Sequence, residues 1–485
     1  MDLAKIENFQ DAVVTVMGLG RYKQGSGLGA TKWLIRHGAQ VVITDLKDAL
    51  ELKESVELVM EWFATYRTQY PDRQIYQPIF VLGEHRKEDF TNVDCVVQNP
   101  GVPSEAEYMT AAKELHIPIE SDVSLFFRYY QHPIVAITGT KGKTTTTLLV
   151  GEMLKGLDPA AITAGNIKAS PLDMLDELAL KPSPTPIVIE LSSWLLESMP
   201  GAFADLKKGP DIAVLTNVFP DHLERYPSYE AYVDSKRIIF SSQTPEQKTV
   251  LNYDHPEVKA MEPEVKGKLY WFARDPLPHD GCYVNNGMVI WRENGKDTDV
   301  IALDEVALGE HALENILSAT AAAMLRGVPV AAVYNVLKTF VGPSDRQELV
   351  REVDEIMYVN DTAATNPEAA IVAIKNFGSG AKKDVLLLAG GSGQGLPYER
   401  MAEAAVEMCK MTILFPGDGS DALFAAINGR TPVERASTMH EAVQKARAEA
   451  KRGDIVLLSP GAAAAGIFPT EFDRGEQFRE EVRNL

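Results

Sequence analysis

The run Ile134-Val-Ala-Ile-Thr-Gly-Thr-Lys-Gly-Lys-Thr-Thr-Thr-Thr147 constrains this chain more than any other segment. An apolar strand breaks into a Gly-Lys-Thr turn and then a helix, which is the shape of a nucleotide phosphate cradle. Gly139 and Gly142 let the backbone turn its N–H groups toward phosphate oxygens. Lys143 reaches the outer phosphates, and the Thr144 hydroxyl is placed to ligate Mg²⁺. The broader P-loop pattern has a glycine where this chain has Ile137, so the turn is the tighter Gly-Thr-Lys-Gly-Lys-Thr-Thr form. A plain packing turn is the competing reading, and four apolar residues followed at once by Thr-Gly-Thr-Lys-Gly-Lys-Thr argue against it.

A chain of 485 residues is long enough for about three domains. The first segment opens with Ala12-Val-Val-Thr-Val-Met-Gly-Leu-Gly20 and a helix through Leu34. The strand Gln40-Val-Val-Ile-Thr-Asp45 then ends on an acidic residue, which makes a Rossmann-like half. Its glycines, Gly18, Gly20, Gly25, Gly27 and Gly29, are spaced more loosely than a dinucleotide fingerprint, so NAD binding is disfavoured. Residues 48–90 look like a helix-rich insertion. Val93–Pro103 reads as a further strand and tight turn. The phosphate loop opens a second α/β domain, whose tail over 250–305 suggests hairpins. Strands beginning at Ile356, Asp384, Met411 and Asp454 alternate with helices in a third. The expected fold class is α/β in three domains: a Rossmann-like domain over 1–131, a central P-loop ATPase-like domain over 132–342, and a C-terminal Rossmann-like domain over 343–485.

The net charge of −20 argues against nonspecific nucleic-acid binding but leaves room for small anions held by local cations and oriented N–H groups. Cys95, Cys282 and Cys409 show no paired metal-ligand spacing. There is no leader-like start and no long uninterrupted apolar run. A cytoplasmic protein, bound neither to a membrane nor to nucleic acid, is expected.

In the second domain the strands end in polar residues at their carboxyl edges, where ligands bind in open parallel sheets. Glu190, in Ile189-Glu-Leu-Ser-Ser193, supplies a carboxylate. His222, in Asn217-Val-Phe-Pro-Asp-His222, supplies an imidazole to complement Thr144 around a hard cation.

With Gly165-Asn-Ile167, Lys236, Asn252, Asp345-Arg346 and Asn360-Asp361 following in order, the chain resembles the Mur ligases. The likeness is greatest to the branch that adds D-glutamate to a UDP-N-acetylmuramoyl-L-alanine acceptor in peptidoglycan precursor synthesis. That resemblance implies an ATP-dependent, ADP-forming acid–amino-acid ligase that phosphorylates a carboxylate and lets an amine displace the phosphate. Such an enzyme takes small-molecule substrates, a UDP-muramoyl nucleotide and an amino acid, and a monomer is expected. It implies ATP contacts at Gly139, Thr140, Lys141, Gly142, Lys143, Thr144, Thr145, Asn252, Arg346 and Asp361. Mg²⁺ would fall to Thr144, Glu190, His222 and Lys236, with Lys236 carbamylated, and catalysis to Lys143, Glu190, His222 and Lys236. Gly20, Asp45, Lys47, Asn99 and Gly101 would hold the uridine diphosphate end, and Asn166 and Ser192 would lie along the acceptor path.

The chain departs from that branch where glutamate would be gripped. Ala363, Gln394 and Ala464 stand in place of two lysines and a serine. Either other cations stand in, or a different amino acid is joined. A noncatalytic nucleotide-binding paralogue is the alternative from another class, and intact Lys143, Glu190, His222 and Lys236 speak against it.

Overall fold

The computed structural model describes residues 9–20, 25–102, 106–166, 170–220, 225–308, 312–342, 345–380, 382–393, 395–464 and 466–485. They form an α/β protein with three sheets, and the chain divides into two compact units, Met1–Thr339 and Phe340–Leu485.

The first sheet comprises β1 (Val13–Met17), β2 (Gln40–Asp45), β3 (Ile79–Leu82), β4 (Cys95–Gln98) and β5 (Ile119–Glu120), all parallel, in the order β3-β2-β1-β4-β5. Four of the five residues of β1 are buried, so helices must cover both faces. The chain fills one side of β1, then crosses to β4 on the other. A crevice therefore opens between the ends of β1 and β4, at Gly18–Gly20 and Asn99–Gly101. Over residues 48–90 the expected helix is present, but as part of the sheet's own connectivity and not as an insertion. Helix Lys53–Gln69 is the crossover into β3, which pairs with β2 from Val42↔Ile79 to Asp45↔Leu82. A four-residue edge strand is too short to declare itself by periodicity.

The second sheet, also in the first unit, comprises β6 (Ile134–Thr138), β7 (Ile162–Gly165), β8 (Ile187–Glu190), β9 (Ile212–Leu215), β10 (Lys248–Asn252), β11 (Lys268–Ala273), β12 (Gly281–Asn285), β13 (Met288–Glu293) and β14 (Lys296–Ala302). Its order is β14-β13-β12-β11-β10-β9-β6-β8-β7. It is parallel from β7 through β12 and ends in the antiparallel hairpins expected for 250–305. Every residue of β6 is buried, and its neighbours β8 and β9 bring Glu190 and Thr216–Asn217 to the edge where the phosphate loop begins. Arg36 of helix Ser26–Arg36 ties the first sheet's layer to the second, bonding Asp173 at 2.8 Å and Asp176 at 2.7 Å.

The second unit holds β15 (Glu348–Val353), β16 (Ile356–Asn360), β17 (Val385–Ala389), β18 (Cys409–Leu414), β19 (Val433–Arg435) and β20 (Ile455–Leu458), in the order β15-β16-β20-β17-β18-β19. Only β15 runs antiparallel to its neighbour. The central β17 and β20 are buried throughout, and separate apolar clusters cover the two faces.

Candidate active site

The phosphate loop is shaped by two glycines that no other residue replaces cheaply. Gly139 has φ of 153° and Gly142 of 80°. A Cβ at Gly139 would lie 1.9 Å from Thr216 Oγ1, and one at Gly142 would lie 2.1 Å from Asn315 Oδ1. Gly142 caps helix Lys143–Leu154, so the first-turn N–H groups face the loop. The loop is sewn to the end of β9. Thr140 N–H donates to the Asn217 carbonyl at 2.9 Å, Lys141 N–H to Asn217 Oδ1 at 2.8 Å, and Thr216 Oγ1 to the Lys141 carbonyl at 2.8 Å. Lys143 Nζ donates to the Thr140 carbonyl at 2.9 Å, folding the ammonium over the loop. Thr144 and Thr145 are half-buried in the first helical turn, and Lys141 is exposed.

Around this loop the same sheet edge gathers Glu190, Asn166, Lys236 and Asn252. Glu190 is 1% exposed, and its Oε2 has no hydrogen-bond partner among the described residues, while Oε1 accepts from Asn166 Nδ2 at 3.4 Å. A buried carboxylate oxygen left without a donor is costly unless a cation sits there, so the acidic edge beside the phosphate cradle fits Mg²⁺. Lys236, in helix Tyr229–Ser241, is buried. Its Nζ donates to the Gly139 carbonyl at 2.9 Å and lies 4.6 Å from the centre of the Tyr232 ring. Asn252 closes the β10 end, donating through Nδ2 to the Thr216 carbonyl at 2.9 Å. Ser192 caps helix Ser193–Glu197 through the Leu195 N–H. The expected metal ligand His222 lies outside the described residues.

A second cluster sits at the crevice of the first sheet. Asp45 is buried, and its carboxylate accepts the N–H groups of Leu19 at 3.0 Å, Gly20 at 3.4 Å and Lys47 at 3.0 Å. That carboxylate is spent on shaping the glycine turn. Asn99 bridges the two strand ends, donating to the Gly18 carbonyl at 3.2 Å and accepting from Gly101 N–H at 3.2 Å.

In the second unit, three loops converge at the ends of β16, β17 and β20. Gly461 N–H donates to the Ala364 carbonyl at 2.8 Å, and Ser392 and Ala463 exchange backbone hydrogen bonds at 2.9 and 3.0 Å. Ala363 and Ala464 are half-buried there, and Gln394 lies outside the described residues. Asp361 is buried, with Oδ2 accepting from Ser459 Oγ at 2.7 Å and Oδ1 from Gln347 N–H at 3.2 Å. Burial outweighs those donors and the nearby Arg346 charge, raising its carboxyl to about 7. Arg474 is fully buried and donates to Thr362 Oγ1 at 2.9 Å, the Thr362 carbonyl at 3.0 Å and the Ala462 carbonyl at 3.2 Å. Burial draws its guanidinium down to about 10. Arg346 is exposed.

Residues 137–323 match the Mur ligase middle domain, and residues 345–461 match the Mur ligase glutamate ligase domain. A UDP-N-acetylmuramoylalanine--D-glutamate ligase of Roseiflexus sp. (strain RS-1) is 38% identical over 483 residues, covering 97% of this chain and 98% of that one. Another of the same name, from Clostridioides difficile (strain 630), is 32% identical over 475 residues, again covering 97% and 98%. The chain is a Mur ligase. In fold this Mur ligase matches the solved UDP-N-acetylmuramate-alanine ligase of Thermotoga maritima, with a TM-score of 0.54 at 16% identity over 98% of this chain and 99% of that one. It also matches a pseudomurein peptide ligase type C from Methanothermus fervidus, with a TM-score of 0.52 at 17% identity over 98% and 100%. As a Mur ligase it is an ATP-dependent, ADP-forming ligase of peptidoglycan precursor synthesis, built of three α/β domains.

The geometry adds residues to this Mur ligase's site that sequence reasoning left out. Thr216 and Asn217 anchor the phosphate loop, and Asn217 opens the Asn-Val-Phe-Pro-Asp-His run that signalled it. Asn315 packs on Gly142 from helix Leu313–Arg326, where a lone asparagine among alanines and leucines was the only signal.

Proposed function

We propose that this Mur ligase joins D-glutamate to UDP-N-acetylmuramoyl-L-alanine through an acyl phosphate. The observation that carries the reading is identity of 32–38%, over nearly the whole chain, to relatives bearing that name. The acceptor's carboxylate attacks the γ-phosphorus of ATP and releases ADP. The glutamate amine then attacks the acyl carbon, phosphate leaves, and a proton is lost to give the amide.

Lys143 and the first-turn N–H groups of its helix orient the phosphates. Glu190 and Thr144 would hold one Mg²⁺, and His222 with Lys236 a second. What those ions supply when bound is neutralisation of phosphate charge as it builds during transfer. Carbamylation of Lys236 would turn an ammonium into an oxygen ligand. Its burial beside the phosphate loop supports that role, although the contacts to Gly139 and Tyr232 are those an ammonium makes. Asn252, Arg346 and Asp361 are assigned to the nucleotide, and Asn166 and Ser192 to the acceptor. Gly20, Asp45, Lys47, Asn99 and Gly101 are assigned to the uridine diphosphate, with Asp45 acting through the turn it shapes. We assign the domains to 1–131, 132–342 and 343–485. Among the described residues no helix is long and apolar enough to cross a membrane. The proposed setting is a cytoplasmic monomer.

One observation favours a second reading, a Mur ligase that joins a different amino acid. Ala363 and Ala464 bring neither cation nor hydroxyl to the loops where the amino acid is expected, and Arg474 is already spent on loop carbonyls. The test is phosphate release from ATP with UDP-N-acetylmuramoyl-L-alanine and a panel of amino acids. The reading requires D-glutamate to give the highest kcat/KM and a product heavier by one glutamyl residue. Turnover with another amino acid and none with D-glutamate would replace it by the second.

A further inference from the structure

The last helix, Glu471–Arg483, carries the run Arg474-Gly-Glu-Gln-Phe-Arg479. Its glycine marks a close approach. A Cβ at Gly475 would lie 2.2 Å from Asp345 Oδ1 and 2.7 Å from Thr362 Cγ2, so the helix backbone rests directly on the turn before β15 and on the loop after β16. Arg479, mostly buried, reaches that turn with one nitrogen. Its Nη1 donates to Asp345 Oδ1 at 2.8 Å and Glu348 Oε2 at 2.9 Å, while Nε and Nη2 engage Glu476. Asn360 Nδ2 bonds the same two carboxylates at 3.1 and 3.0 Å, and Glu348 Oε2 also accepts the Asp345 N–H at 2.9 Å.

The turn held this way is strained. Asp345 has φ of 68° and Gln347 of 48°, and neither is glycine. Between them stands Arg346, exposed and without an ion pair to any described residue. The turn's other ends reach the loop that carries Asp361: Gln347 N–H donates to Asp361 Oδ1, and Ala363 N–H to the Asp345 carbonyl at 3.0 Å. An unpaired cation on a backbone conformation that needs outside support is set up to meet an anion in one orientation.

We propose that Arg479 is a positioning residue for nucleotide use. By binding Asp345 and Glu348 together it holds the strained turn that presents Arg346 and the Gln347 N–H that fixes Asp361. The inference rests on the assignment of Arg346 and Asp361 to the nucleotide.

The test is a double-mutant cycle on the full-length enzyme, with ATP titrated at saturating co-substrates for wild type, Arg346→Ala, Arg479→Ala, Arg479→Lys and the double alanine variant. Arg346→Ala should raise the KM for ATP at least tenfold. Arg479→Ala should raise it at least threefold, with the KM for the UDP-muramoyl substrate changed less than twofold. Arg479→Lys, which keeps the charge but loses the fork, should recover part of that loss. The double variant should fall short of the product of the two single losses, because the turn then has no arginine left to present and only the Gln347–Asp361 contact remains to be disturbed. Independent losses that multiply in the double variant would overturn the positioning role while leaving the assignment of Arg346 intact. So would a fall in melting temperature with the KM for ATP unmoved. An unchanged KM for ATP in Arg346→Ala would instead overturn the nucleotide assignment on which the role depends. Should Arg479→Ala fail to fold, Glu348→Gln provides the second route. It keeps an oxygen acceptor but weakens the pull on Arg479, and must show a milder form of the same pattern.

Discussion

Asp361→Asn should make the protein more stable than wild type, by a margin that grows as pH rises. Asp361 is 5% exposed, and burial lifts its carboxyl from an ordinary 3.8 to about 7 in the folded chain. A carboxyl raised on folding holds a proton that the unfolded chain releases between those values. Its contribution is therefore whole below about pH 4 and is lost as pH climbs through 7. Linkage puts the loss at about 2 kcal/mol at pH 5 and about 4 kcal/mol at pH 8. The Asn variant does not titrate. Its amide serves the same two partners as the protonated acid, with the oxygen accepting from Gln347 N–H and the NH₂ donating to the Ser459 hydroxyl, so any offset is small and independent of pH. The stability difference between variant and wild type should thus widen by about 2–3 kcal/mol from pH 5 to pH 8. Guanidinium unfolding followed by circular dichroism and by fluorescence measures it. All five tryptophans lie in the first unit, so the change belongs in the part of the dichroism transition that fluorescence does not report. A difference that stays flat across that range would refute the reasoning, because it would mean that Asp361 titrates alike in the folded and unfolded chain.

Lys143→Ala should cut kcat at least about a hundredfold, since it removes a charge-assisted contact to the phosphates worth about 1.5–3 kcal/mol before any transition-state gain. Its circular dichroism should be unchanged, and wild-type phosphate release would sink the ATP assignment. Gly142→Ala places a Cβ 2.1 Å from Asn315 Oδ1 on a left-handed backbone that costs an L-residue about 1–2 kcal/mol. ADP affinity measured by calorimetry should fall at least tenfold and return in part when Asn315→Ala removes the clash; no return would mean that backbone strain alone is at work. Ala363→Lys with Gln394→Lys should lower the KM for D-glutamate by about two decades, from two charge-assisted bonds. A micromolar wild-type KM with no gain in the double variant would show that other residues grip the amino acid.

What the sequence disclosed and what it hid follow from how far apart in the chain the interacting groups lie. The phosphate loop was legible because its glycines, lysine and threonines are contiguous, and because β6 is a fully buried strand whose apolar run cannot be anything else. Strands β1, β2, β4, β17 and β20 were legible for the same reason. The edges were not: β5 has two residues, β19 has three, and β15 breaks its alternation where Arg351 and Glu352 are both exposed. Contacts such as Gly142 with Asn315, or Arg479 with Asp345, join residues well over a hundred positions apart and leave no local pattern. Arg474 shows the same limit at the amino-acid loops. Its closeness in sequence to Ala464 nominates it, ahead of Lys382, Lys383 and Arg400, to replace the missing cations, yet burial is a property of space. The structure seals its guanidinium against Thr362 and Ala462, where it braces the loops and has no face open to a ligand. Arg400, another candidate replacement, is exposed and paired with an equally exposed Glu368, an ion pair worth little and easily exchanged. Among these two arginines, only the weakly held one is free to trade its partner for a substrate carboxylate. The double-lysine restoration therefore tests whether the glutamate grip was lost or merely moved.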